Sequence, residues 1–281
     1  MNLNKYRINE KQKLYRRRIN MSGILSFFGV PVKKQRSDES FSLQKQSKFL
    51  PDIFRIALKN MKSEENLAKY LNKQAKIHPE EYREAIQTYF KEKLDQRTGL
   101  MRHVSFFDSE NTSKLNFLNV MQGFKDLGFG TLSAYLNTFL VIGGGIIGTQ
   151  KLEPPIEKVH DLTHPISHTA LFNQNPAKFN NNAHDKFVKN MIKRILNGRD
   201  KLEEEDIVTL VDEIGKRHPT TGLGKLFVAL LRPLQIVAFT NVMNLCGGSL
   251  SEQDLEDFFG GTLFYAIAEP TSVAHRVMTM R

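Results

Sequence analysis

The chain has 281 residues, enough for one large domain or two small ones, and its 40% of apolar residues can bury a real core, which excludes global disorder. A net charge of +10 and a pI near 9.5 imply an anionic partner surface, either nucleic acid or acidic lipid. The single cysteine, Cys246, excludes an intramolecular disulfide framework and fits a reducing compartment; in its apolar context, FTNVMNLC, it reads as a small core residue rather than a nucleophile.

Residues 1–50 lack sustained periodicity and cluster Lys, Arg, Ser and Gln, so they read as a basic, flexible arm. MNLNKYRINEKQKLYRRRIN followed by MSGILSFFGVPV has the basic-then-apolar order of a secretory signal. The apolar stretch is short and no small-x-small cleavage site follows it, so the arm is not read as a leader. KLYRRR could contact nucleic-acid phosphates. No nucleic-acid-binding fold accompanies it, and a polybasic arm suits an anionic lipid surface better.

From Pro51 the pattern turns helical. DIFRIALKNM, SEENLAKYLNKQAKI and PEEYREAIQTYFKEKLD space their apolar residues by three and four. Ser63 with Glu64 and Glu65, and Pro79 with Glu80 and Glu81, mark helix starts with acidic first turns. GLMRHVSFF then leads into a polar loop, DSENTSKLNFLN, at 108–119, and another helix starts in VMQGFKDLGF.

That loop follows the plan of a calcium loop with part of its ligand set removed. Such a loop takes oxygens at positions 1, 3, 5, 7, 9 and 12, with glycine at 6 and a bidentate glutamate at 12. Counting from Asp108, Glu110 stands third, Thr112 fifth, Asn116 ninth and Asn119 twelfth, while Ser113 occupies the glycine place. Two carboxylates remain and the bidentate one is gone. A site built from Asp108, Glu110, Thr112, Asn116 and Asn119 would bind calcium at the weak end, on the order of 10⁻³ M or poorer, or would have lost it.

Between Asp126 and Lys151 no charged residue occurs. LGFGTLSAYLNTFLVIGGGIIGTQ is long enough for a helix to span roughly 30 Å of hydrocarbon. It holds six glycines, three of them consecutive at Gly143, Gly144 and Gly145. Each interior glycine costs a helix up to ~1 kcal/mol relative to alanine. A straight transmembrane helix, a kinked or re-entrant segment, an amphipathic helix lying on the surface, and a buried core helix ended by a glycine turn all remain open.

KLEPPIEKVHDLTHPISH follows, its prolines forcing turn or extended geometry. His160, His164 and His168 are four residues apart, which on one helix would make a metal-binding face. The residue before a proline avoids the α region, so His164 does not sit comfortably mid-helix, and zinc is disfavoured. His103, taken alone, reads as a satisfied core imidazole. Further on, DKFVKNMIKRILNGRD ends on Gly198 and LEEEDIVTLVDEIGK on Gly215 in the manner of C′ glycines. KLFVALLRPLQIVAFTNVMNLC is interrupted at Pro233 and predicts two core helices. Ser251 with Asp254 opens a last helix, EQDLEDFFGGTLFYAIAE. No strand-like alternation of any length appears. The expected fold is mostly α: a basic arm (1–50), a helical region with a degenerate EF-hand-like loop (51–126), a membrane-associated apolar segment (127–150), and a proline turn with a C-terminal helical region (151–281).

HVSFFD, the calcium-type loop, QGFKDLGFG, a charge-free segment, VHDLTH and NLCGGSLSEQDLEDFFGGTLF occur in this order. The order and spacing resemble the caleosin (plant-type peroxygenase) family over about residues 97–268. That resemblance implies a protein of lipid-droplet or endomembrane surfaces, facing the cytosol. It implies haem as cofactor and oxygenation of unsaturated fatty acids by a lipid hydroperoxide. It assigns haem ligation to His103 and His164, with His160 as the companion histidine. The chain departs from the family pattern at Ser113 and Asn119, at Pro165 after His164, and in having glycines where the family has a proline knot. The alternative reading is a non-catalytic lipid-surface binding or scaffold protein that has lost both calcium and haem.

Overall fold

In the computed structural model, which describes residues 50–159, 189–190, 192–215 and 223–280, the first three helices begin where the sequence places its caps. They are α1 (Leu50–Asn60), α2 (Glu64–Ile77) and α3 (Pro79–Lys93). The Ser63 hydroxyl accepts the Asn66 N–H at 3.4 Å, and Glu64 and Glu65 add negative charge to the positive end of the α2 dipole. Pro79 takes the first position of α3, where its missing N–H costs nothing. Phe54 and Leu58, Leu67 and Leu71, and Tyr82, Ala85, Ile86 and Phe90 form the buried faces of the three helices.

The next section alternates short helices with tight loops: α4 (Gly99–Ser105), α5 (Phe117–Asp126), α6 (Thr131–Thr149) and α7 (Ile156–Val159). Among the conformations left open for the apolar segment, α6 is one uninterrupted helix of 19 residues that runs through the three glycines. It stops at Gln150, whose φ of 55° lies in the left-handed region. A Cβ on Gly145 would lie 2.8 Å from the Pro154 ring, so glycine lets the returning chain pack close. No described helix is long and apolar enough to cross a membrane.

Residues 189–190 and 192–196 are helical. They lead to β1 (Lys201–Leu202), a 3₁₀ turn (Glu204–Asp206) and α8 (Ile207–Gly215). α9 (Leu223–Leu245), β2 (Leu250–Ser251), α10 (Glu252–Gly260), α11 (Leu263–Ile267) and α12 (Pro270–Thr279) complete the described chain. α10 opens with the expected capping box between Ser251 and Asp254. The two helices expected around Pro233 are a single helix, α9. Pro233 lies on its exposed side, and Arg232 beside it is tied to Asp212 of α8 by two bonds of 2.7 and 3.1 Å, which hold the turn that the proline weakens.

Two contacts draw these sections together. Gly99, at the start of α4, and Gly261, after α10, cross so closely that a Cβ on Gly99 would strike the Phe259 carbonyl and one on Gly261 the Gly99 carbonyl; Gly261 also has φ +80°. Around this crossing, Phe106 packs edge-on to Phe264 and Tyr265 at 5.6 and 5.3 Å, and Tyr265 stacks on Phe90 at 3.9 Å. α12 lies against α2 and reaches back to the 108–119 loop.

Candidate functional site

The loop at 108–119 is held by its own backbone. Asp108 is buried, and its Oδ1 accepts the Thr112 N–H and hydroxyl, both at 2.8 Å, while Oδ2 accepts the Ser113 N–H at 2.7 Å. Ser113 takes the glycine place with φ 62°, and Asn111 has φ 52°, so two non-glycine residues bear the left-handed turn. Asn116 caps α5 by accepting the Asn119 N–H at 2.8 Å. Glu110, the third-position carboxylate, faces away onto His275 of α12, with its Oε1 3.3 Å from Nε2. The other ring nitrogen of His275 lies 3.2 Å from Glu64 of α2. Asn119 leaves its buried side-chain N–H without a hydrogen-bond partner.

α12 fastens this loop from behind. Arg276 is 0% exposed; its guanidinium lies 4.1 Å over the Phe106 ring and its Nε donates to the Phe106 carbonyl at 3.0 Å. Its second terminal nitrogen forms a close ion pair with Asp126 at 2.8 Å, without the alignment of a hydrogen bond. Thr279 donates to the Ser109 carbonyl at 2.9 Å.

α6 turns its side chains the wrong way round for a helix in water. Its fully buried positions, Ser133, Ala134, Thr138 and Gly145, are all small, while Val141 and Ile142 pack partly buried against the core. Leu132, Tyr135, Phe139 and Leu140 face outward at 44–56% exposure, and Leu118 of α5 is 70% exposed. Phe139 and Tyr135 pack on Phe117 and on each other at ring distances of 4.8–5.4 Å, a continuous aromatic ridge. The polar side chains of the helix are satisfied internally: Asn137 donates to the Ser133 carbonyl, Thr138 to Ala134 and Thr149 to Gly145, at 2.7–2.9 Å.

His103, on α4, keeps some exposure, but its ring packs against Phe264 at 4.3 Å and Phe258 at 5.0 Å. Burial of the ring brings its pKa down to about 4, so the imidazole is neutral near pH 7. Cys246 is partly buried against the core rather than part of it, and its thiol is pushed up to about 12 by burial and then by the Asp254 carboxylate.

A polar cavity of about 530 Å³ lies between α3 and α10, lined by Arg83, Gln87, Arg102 and Asp257 among others. Burial raises the Asp257 carboxyl, but Arg83 (3.0 Å), Gln253 (2.8 Å) and Gln87 all donate to it, so its charge is already answered.

A family model described as "Caleosin related protein" matches residues 95–268. The chain belongs to the caleosin-related family. No curated protein and no solved structure matches it. The matched residues of this caleosin-related chain run from just before α4 to the end of α11, so the Gly99–Gly261 crossing lies inside the family unit. α1 to α3 and α12, including Arg276 and His275, lie outside it.

The family typically binds calcium and haem, and the described residues fit neither. At 108–119, Asp108 is spent on loop amides and Glu110 on His275, and Asn119 presents an N–H where the bidentate carboxylate belongs. Thr112 is hydrogen-bonded to Asp108 and Asn116 is a helix cap. Among the described residues, no group of three or more His, Cys, Asp and Glu side chains could hold a metal ion. At His103, an axial imidazole needs a flat slot for the porphyrin at its edge. Two aromatic rings crowd it, and the polar cavity beside neighbouring Arg102 does not open onto it. His160, His164 and His168 lie outside the described residues, as does most of the basic arm.

What the sequence missed is chiefly the lock from α12. A charged residue in a short C-terminal helix reads as a solvated one, and only folding brings Phe106 and Asp126 to Arg276.

Proposed function

We propose that this caleosin-related protein works on a lipid surface, laying the outer face of α6 and Leu118 into one leaflet while the rest of the molecule stays in water. The observation that carries this reading is the sorting along the helix: its fully buried positions are small, and four large apolar side chains face outward. Fully burying one such side chain contributes about 1.5–3 kcal/mol. Four that stay roughly half exposed therefore hold back about 3–6 kcal/mol, which a hydrocarbon layer would return. A helix of 19 residues that back-bonds its own polar groups suits a position along the interface, with its small-residue face kept on α5. The net charge of +10 favours anionic headgroups, and Lys151 and Lys158 are exposed close beyond the end of the helix.

Flotation with phosphatidylcholine vesicles, with and without phosphatidylserine, tests this. Wild-type protein floats, more completely with phosphatidylserine. Phe139→Asp combined with Leu140→Asp leaves it in the soluble fraction without loss of fold by circular dichroism. Deleting residues 1–50 weakens only the phosphatidylserine-dependent part. Equal flotation of wild type and double variant would overturn the reading.

Oxygenation of unsaturated fatty acids with a lipid hydroperoxide, through haem held by His103 and His164 with His160 alongside, is the second reading. It is favoured by the neutral state of His103, in which the ring keeps a lone pair for iron. It requires Phe258 and Phe264 to give way. A Soret band on adding haemin that is lost in both His103→Ala and His164→Ala would make this the leading reading; an unperturbed haemin spectrum removes it.

A further inference from the structure

Two short backbone pairings recur in the fold. Lys114 bridges Pro155, with Leu115 N–H donating to the Pro154 carbonyl at 2.9 Å and Ile156 N–H to the Ser113 carbonyl at 3.0 Å. β1 pairs antiparallel with β2, Lys201 opposite Ser251 and Leu202 opposite Leu250. Each pairing is flanked by helices and contributes two apolar residues with 0–1% exposure: Leu115 and Ile156 in the first, Leu202 and Leu250 in the second. Leu115 is the eighth residue of the calcium-type loop that starts at Asp108.

Counting Leu202 and Leu250 as eighth residues in turn gives loops 195–206 and 243–254. Their twelfth residues are Asp206 and Asp254, carboxylates at the position where a calcium loop keeps its bidentate ligand. Both accept the N–H of the ninth residue: Glu203 N–H to Asp206 at 2.9 Å, and Ser251 N–H to Asp254 at 2.8 Å. In loop 243–254 the sixth residue is Gly248 with φ +98°, the conformation that Ser113 takes at φ 62° in the first loop. Loop 195–206 makes its left-handed turn earlier, at Asn197 and Gly198.

Basic side chains stand where a cation would. Arg199, fifth in its loop, donates its two terminal nitrogens to the two Asp206 oxygens at 2.9 and 2.8 Å. It also gives Nε to the Leu196 carbonyl at 3.1 Å and one terminal nitrogen to the Ile195 carbonyl at 3.4 Å. One guanidinium thus gathers the backbone carbonyls of the first and second residues and both carboxylate oxygens of the twelfth, the last being the group that a bound ion would hold. Asp254 has its remaining oxygen 2.5 Å from Arg83 of α3.

We propose that the C-terminal half carries a second EF-hand-type pair, loops 195–206 and 243–254, in which arginine takes the place of the divalent cation and makes the pair insensitive to calcium. The planar guanidinium suits the role, because it presents a fixed fork to both oxygens of one carboxylate and is never deprotonated. The proposal is independent of the lipid-surface reading.

The test is a set of melting curves on the full-length protein in EDTA and in calcium, with calorimetric calcium titrations. Wild type melts at the same temperature in both. Arg199→Asp removes the internal cation and adds a ligand at the fifth position. It melts about 2–4 °C lower in EDTA, recovers in calcium and gains a calcium-binding isotherm. Arg199→Lys keeps the charge without the fork, melts between the two and stays calcium-insensitive; it carries the test if the aspartate variant does not fold. Two results overturn the proposal: a calcium-dependent rise in the wild-type melting temperature that survives Asp108→Ala, or variants that melt like wild type in EDTA.

Discussion

Helix α12 carries a charge, Arg276, into the centre of the molecule, whereas α6 carries Leu132, Tyr135, Phe139 and Leu140 out into solvent. Both go against the ordinary sorting of residues by polarity, and the difference lies in what answers them. Arg276 finds an aromatic face, a carbonyl and the Asp126 carboxylate within its own chain, so its burial explains structure. Among the described residues, the outer face of α6 packs on its own aromatic neighbours and Phe117 and stays about half exposed, so it points to a partner surface. An inside-out residue that is satisfied belongs to the fold; one that is not is a lead to function.

The most severe way to break the comparison is to remove the charge from the interior. Arg276→Ala removes the buried ion-pair partner of Asp126, leaving that carboxylate its hydrogen bonds from Gln122 and Ser272, and should cost about 3–5 kcal/mol, read from the urea midpoint. Adding Asp126→Asn should return part of it, because the charge that Arg276 had balanced is then gone as well.

Acid reaches the interior by another route. The folded pKa of His103, about 4, lies below its ordinary value of 6.5, so between those pH values the unfolded chain binds the extra proton. This contribution to stability is intact above pH 6.5 and is lost as pH falls toward 4, by roughly 3 kcal/mol in all. His103→Leu should flatten that part of the stability–pH curve.

On the outward side, Phe139→Asp with Leu140→Asp gives up about 1.5–3 kcal/mol of insertion, a loss of tenfold or more in vesicle partitioning, while the urea midpoint barely moves. The smallest effect has the opposite sign. Nothing lies within 4 Å of a Cβ on Gly143, and alanine is the better helix former, so Gly143→Ala should stabilise the protein by about 0.5–1 kcal/mol.

The sequence foretold the local signals and little of what depends on distance. Ser63, Pro79 and the Ser251–Asp254 box mark helix starts because capping is settled within four residues. Asn116 caps α5, although the ligand count had placed it in the calcium set. Pro233 and the glycine run at 143–145 misled or left matters open, because the cost of a break in a helix is overruled by what the flanking turns pack against, α8 in one case and Pro154 in the other. The departures from a calcium loop at Ser113 and Asn119 are visible in the sequence itself. The lock on that loop is not, since His275 and Arg276 lie 165 and 170 residues from Glu110 and Phe106. The paired loops of the second half escaped notice because two-residue strands leave no alternation to read.

One practical benefit follows from the masked thiol of Cys246. With its pKa near 12, only on the order of one molecule in ten thousand carries the reactive thiolate at pH 8. The protein is therefore a nearly blank background for maleimide chemistry. A cysteine introduced at Leu140 would be the one addressable position, and a polarity-sensitive fluorophore attached there would report directly whether that ridge lies in water or in oil.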